Sequence, residues 1–174
     1  MSDEPPSRIL LLMRHGKAES DAASDMERVL TDRGHSQARL IGDYLCAQGV
    51  RPSCVLVSSA ARTQETWSDV HASLGSPECS VSVLDELYHG GVRDVLALIR
   101  EVEDSCRVLL VVGHEPTMSQ LAAYLGNDDD SDPASLAQVR IGVPTGSMSV
   151  LTSSADSWKD VAEEELNLLT LVRG

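Results

Sequence analysis

The stretch RILLLMRHGKAES, residues 8–20, decides how the rest of the chain is read. Five apolar residues, Ile9 to Met13, run without a break into Arg14, His15 and Gly16. A short, unbroken apolar run of this kind has the character of a strand buried on both faces, as in a parallel sheet covered by helices. A guanidinium and an imidazole at the end of such a strand need a partner, because a buried charge is costly unless it is paired.

The same pattern recurs downstream. CVLV (54–57), VSVL (81–84) and RVLLVV (107–112) predict further strands, and 147–152 and 166–172 predict the last two. Amphipathic helices fall between them. LTDRGHSQARLIGDYLCAQG (30–49) has Thr31 placed to cap its start, Ala38, Ile41 and Leu45 on one face, and Gly49 placed to end it. Residues 61–74 and 92–102 carry the same periodicity, whereas 17–29, small and charged, predict a loop. Pro116 stands where a helix carrying TMSQLAAYL can begin. Strand–helix alternation with continuous apolar strands implies an α/β fold, a three-layer sandwich whose mostly parallel central sheet is flanked by helices. Residues 8–174 are expected to form one domain after a short disordered N-terminus, 1–7.

Composition narrows the function classes. The net charge is −13 and aromatics make up 3% of the chain, with no Phe. An acidic surface without stacking platforms excludes a nucleic-acid binder and disfavours anionic membranes. The four cysteines, Cys46, Cys54, Cys79 and Cys106, form no C-x-x-C and match no zinc spacing, so reduced thiols in a cytoplasmic protein are expected. NDDDSDP (127–133) imitates the start of a calcium loop, but Pro133 takes the required glycine position and Val139 the place of the bidentate Glu. It reads as a solvated acidic loop.

In parallel sheets, ligands bind beyond the carboxyl ends of the strands. Three such ends here read Arg14-His15-Gly16, Ser58-Ser59-Ala60-Ala61-Arg62 and Gly113-His114-Glu115-Pro116. Together they collect two arginines and two histidines at one edge of an acidic protein. That set suits a phosphoryl group. Guanidinium forks match phosphate oxygens, and a neutral imidazole with one nitrogen held as a donor can attack phosphorus with the other. No G-x-S-x-G and no G-x-x-x-x-G-K-[ST] occurs, which removes the serine hydrolase and P-loop readings.

These segments resemble the histidine phosphatase superfamily, the phosphoglycerate mutase-like fold. LLMRHGKAE resembles its R-H-G signature, VLVSSAARTQET its S-P-x-x-R element, and LLVVGHEP its late G-H. LTDRGHSQA and VPTGSMSVL are similar to lesser family elements, and the small size resembles the SixA-type phosphohistidine phosphatases, a compact branch. The resemblance implies His15 as nucleophile, Arg14 and Arg62 as phosphate ligands, and His114 stabilising the transferring group. It also implies a helix dipole from near Pro116 and no metal or cofactor. Gly16 is expected to let the backbone approach the phosphate. Ser59 stands where the family often has proline, which is expected to loosen that turn. LDELYHGG places Glu86 where larger members carry a proton donor, although a solvated loop carboxylate fits equally, and Asp85 and His89 are its neighbours. Lys17 is a candidate for the pocket rim, and His35 and His71 read as structural. Little chain is left for a lid. The implied substrate is therefore a phosphorylated protein or a small phosphate ester, with a metabolite phosphatase or a non-catalytic phosphate-binding module as alternatives.

Overall fold

The structure, a computed structural model, describes residues 8–174; the expectation for residues 1–7 lies outside them. Six strands form one sheet: β1 (Arg8–Arg14), β2 (Cys54–Ser58), β3 (Ser80–Leu84), β4 (Val108–Gly113), β5 (Met148–Ser153) and β6 (Asn167–Val172). Their spatial order is β3-β2-β4-β1-β5-β6. The first four strands run parallel, and β5 is antiparallel to both β1 and β6. Six helices accompany them: α1 (Asp32–Gln48), α2 (Ala61–Ser73), α3 (Asp85–His89), α4 (Val92–Arg100), α5 (Thr117–Leu125) and α6 (Pro133–Ile141). None is long and apolar enough to cross a membrane.

The unbroken apolar run of β1 has a direct cause. Alternate side chains leave a strand on opposite faces, and both faces here are covered. Leu11 and Met13 join Val55, Val57, Leu110 and Val112 beneath Ile41, Leu45 and Val70 of α1 and α2. Leu10 and Leu12 join Leu109 and Val111 against Val95 and Ile99 of α4 and Leu121 and Leu125 of α5. Burying each such side chain contributes about 1.5–3 kcal/mol. The edge strand β3 lacks this double cover, and its Val81 and Val83 are exposed.

Local rules set the element ends. Thr31 Oγ1 accepts from the Gly34 amide at 3.1 Å to cap α1, and Gly49 closes it in the left-handed region at φ 67°. The loop expected over 127–133 ends differently. Asp132 caps α6 by accepting from the Ser135 amide at 3.0 Å, and Pro133 opens the helix, an element the hydrophobic pattern does not announce. Residues 25–27 make a single 3-10 turn inside the segment expected as loop.

Candidate active site

Because β2, β4 and β1 lie side by side, their carboxyl ends meet. Arg14 pairs in register with Gly113, which places His15 and His114 next to each other with ring centroids 5.3 Å apart. Arg62 enters from the first turn of α2, directly after β2. An open cavity of about 520 Å³ lies between them.

His15 is buried and tightly held. Its amide donates to Gly113 O at 3.1 Å, and its carbonyl accepts from the Gly146 amide at 2.8 Å. Its Nδ1 lies 2.7 Å from Gly16 O. A carbonyl can only accept, so Nδ1 carries the proton and Nε2 keeps its lone pair. Burial pushes the His15 pKa down to about 4; the Gly16 bond opposes this, and the arginines Arg62, Arg14 and Arg28 add to it. His15 is therefore a neutral imidazole at physiological pH.

The same reasoning assigns His114. Its Nδ1 lies 3.5 Å from Arg62 Nη2, a pure donor, so Nδ1 accepts and Nε2–H donates to Ser58 Oγ at 2.7 Å. Burial, followed by the neighbouring His15 and Arg62, lowers its pKa to about 3.

The arginines are anchored at one end each. Arg14 Nη1 donates to Val143 O at 2.9 Å. Arg62 Nη1 and Nη2 donate to the carbonyl (2.8 Å) and carboxylate (3.0 Å) of Asp25. The Nε of both is buried and has no hydrogen-bond partner within the protein, and Arg62 Nη2 is shared between Asp25 and His114. Asp25 also accepts from Arg28 at 3.0 Å and from the Tyr88 hydroxyl at 2.6 Å. The Tyr88 contact first, then Arg28 and Arg62, hold its carboxyl well below the usual range. The Tyr88 ring stands edge-on to His114, at 5.6 Å and 81°.

The structure thus brings Arg14, His15, Arg62 and His114 together and leaves Glu86 out. Glu86 is exposed on the first turn of α3, whose Leu87 is buried in the core while Tyr88 and His89 line the cavity. Asp85 and Lys17 are exposed and do not line the cavity either. Three further positions are set by local contacts. At the start of α5, Glu115 accepts from the Ser119 amide at 2.8 Å and also from the Val143 amide at 3.2 Å. Gly16 is required for close packing against helix α1, where a Cβ would sit 2.6 Å from Gly34 O; its own amide donates to Thr66 Oγ1. The turn at Ser59 is pinned without proline, since the Thr63 hydroxyl lies 2.8 Å from both Ser58 O and Ala60 O, and Gln64 Nε2 donates to Ser59 O. His35 pairs with Asp69 at 2.6 Å and His71 bonds Pro77 O at 2.8 Å, both away from the cavity.

Asp25, Arg28, Tyr88 and Glu115 line the cavity and were not singled out by sequence. The one local signal for the first pair is an Asp and an Arg three residues apart, shortly after the R-H-G run. Among the described residues, no cluster of three or more His, Cys, Asp or Glu could hold a metal ion.

Comparison with known proteins agrees with this geometry. Residues 10–95 match the histidine phosphatase superfamily (branch 1). The phosphohistidine phosphatase SixA of Escherichia coli is 37% identical over 118 residues, 67% of this chain and 73% of that protein. The solved structure of a candidate phosphohistidine phosphatase SixA from Nakamurella multipartitia superposes with a TM-score of 0.82 at 31% identity, covering 95% of each chain. A protein histidine phosphatase SixA complexed with tungstate gives 0.75 at 28% identity, covering 95% of this chain and 96% of that one. Sequence, strand-end geometry and these likenesses converge: the chain belongs to the histidine phosphatase superfamily, in its SixA-type branch, and is a phosphatase.

Proposed function

We propose that the protein hydrolyses phosphohistidine, or a related phosphomonoester, through a phosphohistidine formed on His15 and without a metal ion. One observation carries this reading: the bond from His15 Nδ1 to Gly16 O, which leaves a neutral, nucleophilic Nε2 beside two anchored guanidiniums. The substrate phosphate accepts from Arg14 and Arg62. His15 Nε2 attacks phosphorus in line, the N–P bond forms, and the bond to the leaving group breaks with its electron pair departing on that group. Water then attacks the phosphorus, releases inorganic phosphate and returns the electron pair to Nε2. His114 lies beside Arg62 and takes up a proton as the dianion arrives, so its Nδ1 becomes a donor to the transferring group. With Glu86 outside the cavity, solvent in the open site protonates the leaving nitrogen or oxygen.

The likeness to SixA supports a phosphorylated side chain on a protein as substrate, and tungstate in a relative is an oxyanion of phosphate shape. A small phosphate ester presents the same terminal group. The acidic surface disfavours nucleic acid and membrane, and four free cysteines suit the cytoplasm. Acid-quench trapping with a labelled phosphodonor tests the mechanism. The label is expected on His15, stable to base and labile to acid, with activity unchanged by EDTA. Wild-type turnover by His15→Ala would sink it.

A further inference from the structure

Two carboxylates line the cavity and oppose its substrate's charge, Glu115, which is bonded to the Ser119 and Val143 amides, and Asp25. Asp25 stands about half exposed at the rim, yet its carboxylate draws donors from three separate elements: Arg28 of its own loop, Arg62 of α2 and Tyr88 of α3. A negative charge beside a phosphate site weakens anion binding by Coulomb's law alone, so its presence there requires a geometric reason. The contacts supply one. Asp25 occupies the Nη1–Nη2 end of the Arg62 guanidinium with its carbonyl and carboxylate, and no partner holds the Nε side. The second carboxylate oxygen holds Arg28.

We propose that Asp25, itself fixed by Tyr88, is the positioning residue of the site, orienting the Arg62 guanidinium toward the phosphate and drawing Arg28 in as a third cation. Asp25 touches neither the reacting phosphorus nor the leaving group and acts through the two arginines. Tyr88 ties the loop after β1 to the segment after β3, and so sets where the carboxylate stands. This inference rests on the phosphatase reading given above.

The sign of one substitution tests it. Asp25→Asn keeps the side-chain shape, removes a negative charge, and leaves one acceptor oxygen for donors that now need two. Charge alone predicts tighter anion binding, whereas positioning predicts weaker binding. Orthovanadate is the probe, its Kd measured by isothermal titration calorimetry and its competition read in phosphoramidate hydrolysis. The Kd and the KM are both expected to rise about tenfold in Asp25→Asn, the loss of one charge-assisted bond, with a smaller fall in kcat. Tyr88→Phe, which removes a single exposed hydroxyl and leaves the fold intact, is expected to shift both in the same direction by about threefold. Unchanged or tighter vanadate binding in Asp25→Asn, or no shift in Tyr88→Phe, overturns the positioning role alone. A wild-type protein that neither binds vanadate nor turns over phosphoramidate overturns the phosphatase mechanism, and this inference with it.

Discussion

Replacing Gly34 by Ala sets two physical rules against each other. Gly34 is the third residue of α1, and by helix propensity Ala is better there by about 0.5–1 kcal/mol. Its surroundings say otherwise. A Cβ at Gly34 would lie 2.2 Å from Lys17 O and 3.0 Å from Lys17 N. Both are backbone atoms of the loop that follows His15, so no flexible side chain can swing aside. The loop or the helix start must shift by roughly 1 Å to restore ordinary contact, and overpacking of this kind costs about 1–3 kcal/mol. The net expectation is a destabilisation of about 1–2 kcal/mol, a drop of roughly 2–8 °C in Tm for a chain of this size. The shift also moves Gly16 O, which orients the His15 ring, so kcat is expected to fall more steeply than stability. Thermal unfolding followed by circular dichroism gives the first number, and phosphoramidate hydrolysis well below Tm gives the second. A raised Tm with full activity would refute the claim that backbone contact between Gly16, Lys17 and Gly34 builds the site.

Two further outcomes follow from the same geometry. With pKa values of about 4 and about 3, His15 and His114 stay neutral at pH 5.5, where a histidine with the ordinary value near 6.5 is about ten to one protonated. At these two groups the unfolded chain then binds more protons than the folded one, so their contribution to stability falls as pH drops from about 6.5, down to about 4 for His15 and about 3 for His114, and levels off below that. An NMR titration of the imidazoles in the free enzyme checks this directly, and either ring titrating near 6.5 contradicts it. Glu86→Gln is expected to leave kcat within about twofold, since an exposed residue outside the cavity contributes little; a hundredfold loss in steady-state turnover would restore it as proton donor.

The parts of the site that lie on strand ends were legible because burial writes them in the sequence. Leu10 to Met13 must be apolar on both faces, and the polar residues that interrupt such a strand stand out against it. Arg62 was found through its fixed distance from the end of β2. Asp25 and Arg28 were not, because they sit in an irregular segment with no period; what places Asp25 is its contact with Arg62 and Tyr88 across 37 and 63 residues of chain, and Arg28 pairs with Asp25. Glu86 fits by its spacing from β3, yet it is exposed and the cavity is lined from its helix by Tyr88 and His89. Helix α6 was hidden for a third reason: its start depends on an aspartate cap, and the acidic run around Asp132 reads as solvent-facing until the Ser135 contacts are seen.

The strand order has a consequence for how the protein comes into being. β1 and β2 are made early in synthesis, yet they are not neighbours; β4 fits between them and pairs with both, over fifty residues after β2 begins. Until that keystone is in place, the arginine and histidine that end β1 have no floor beneath them and Arg62 has no shared wall with them. β4 delivers the floor and His114 in the same movement. Contacts this distant along the chain form late, and no part-built pocket precedes them. A nascent or partly unfolded molecule therefore lacks the assembled constellation until β4 is in place, and the last anchors of Arg14 and His15, Val143 and Gly146, come from the segment that follows it.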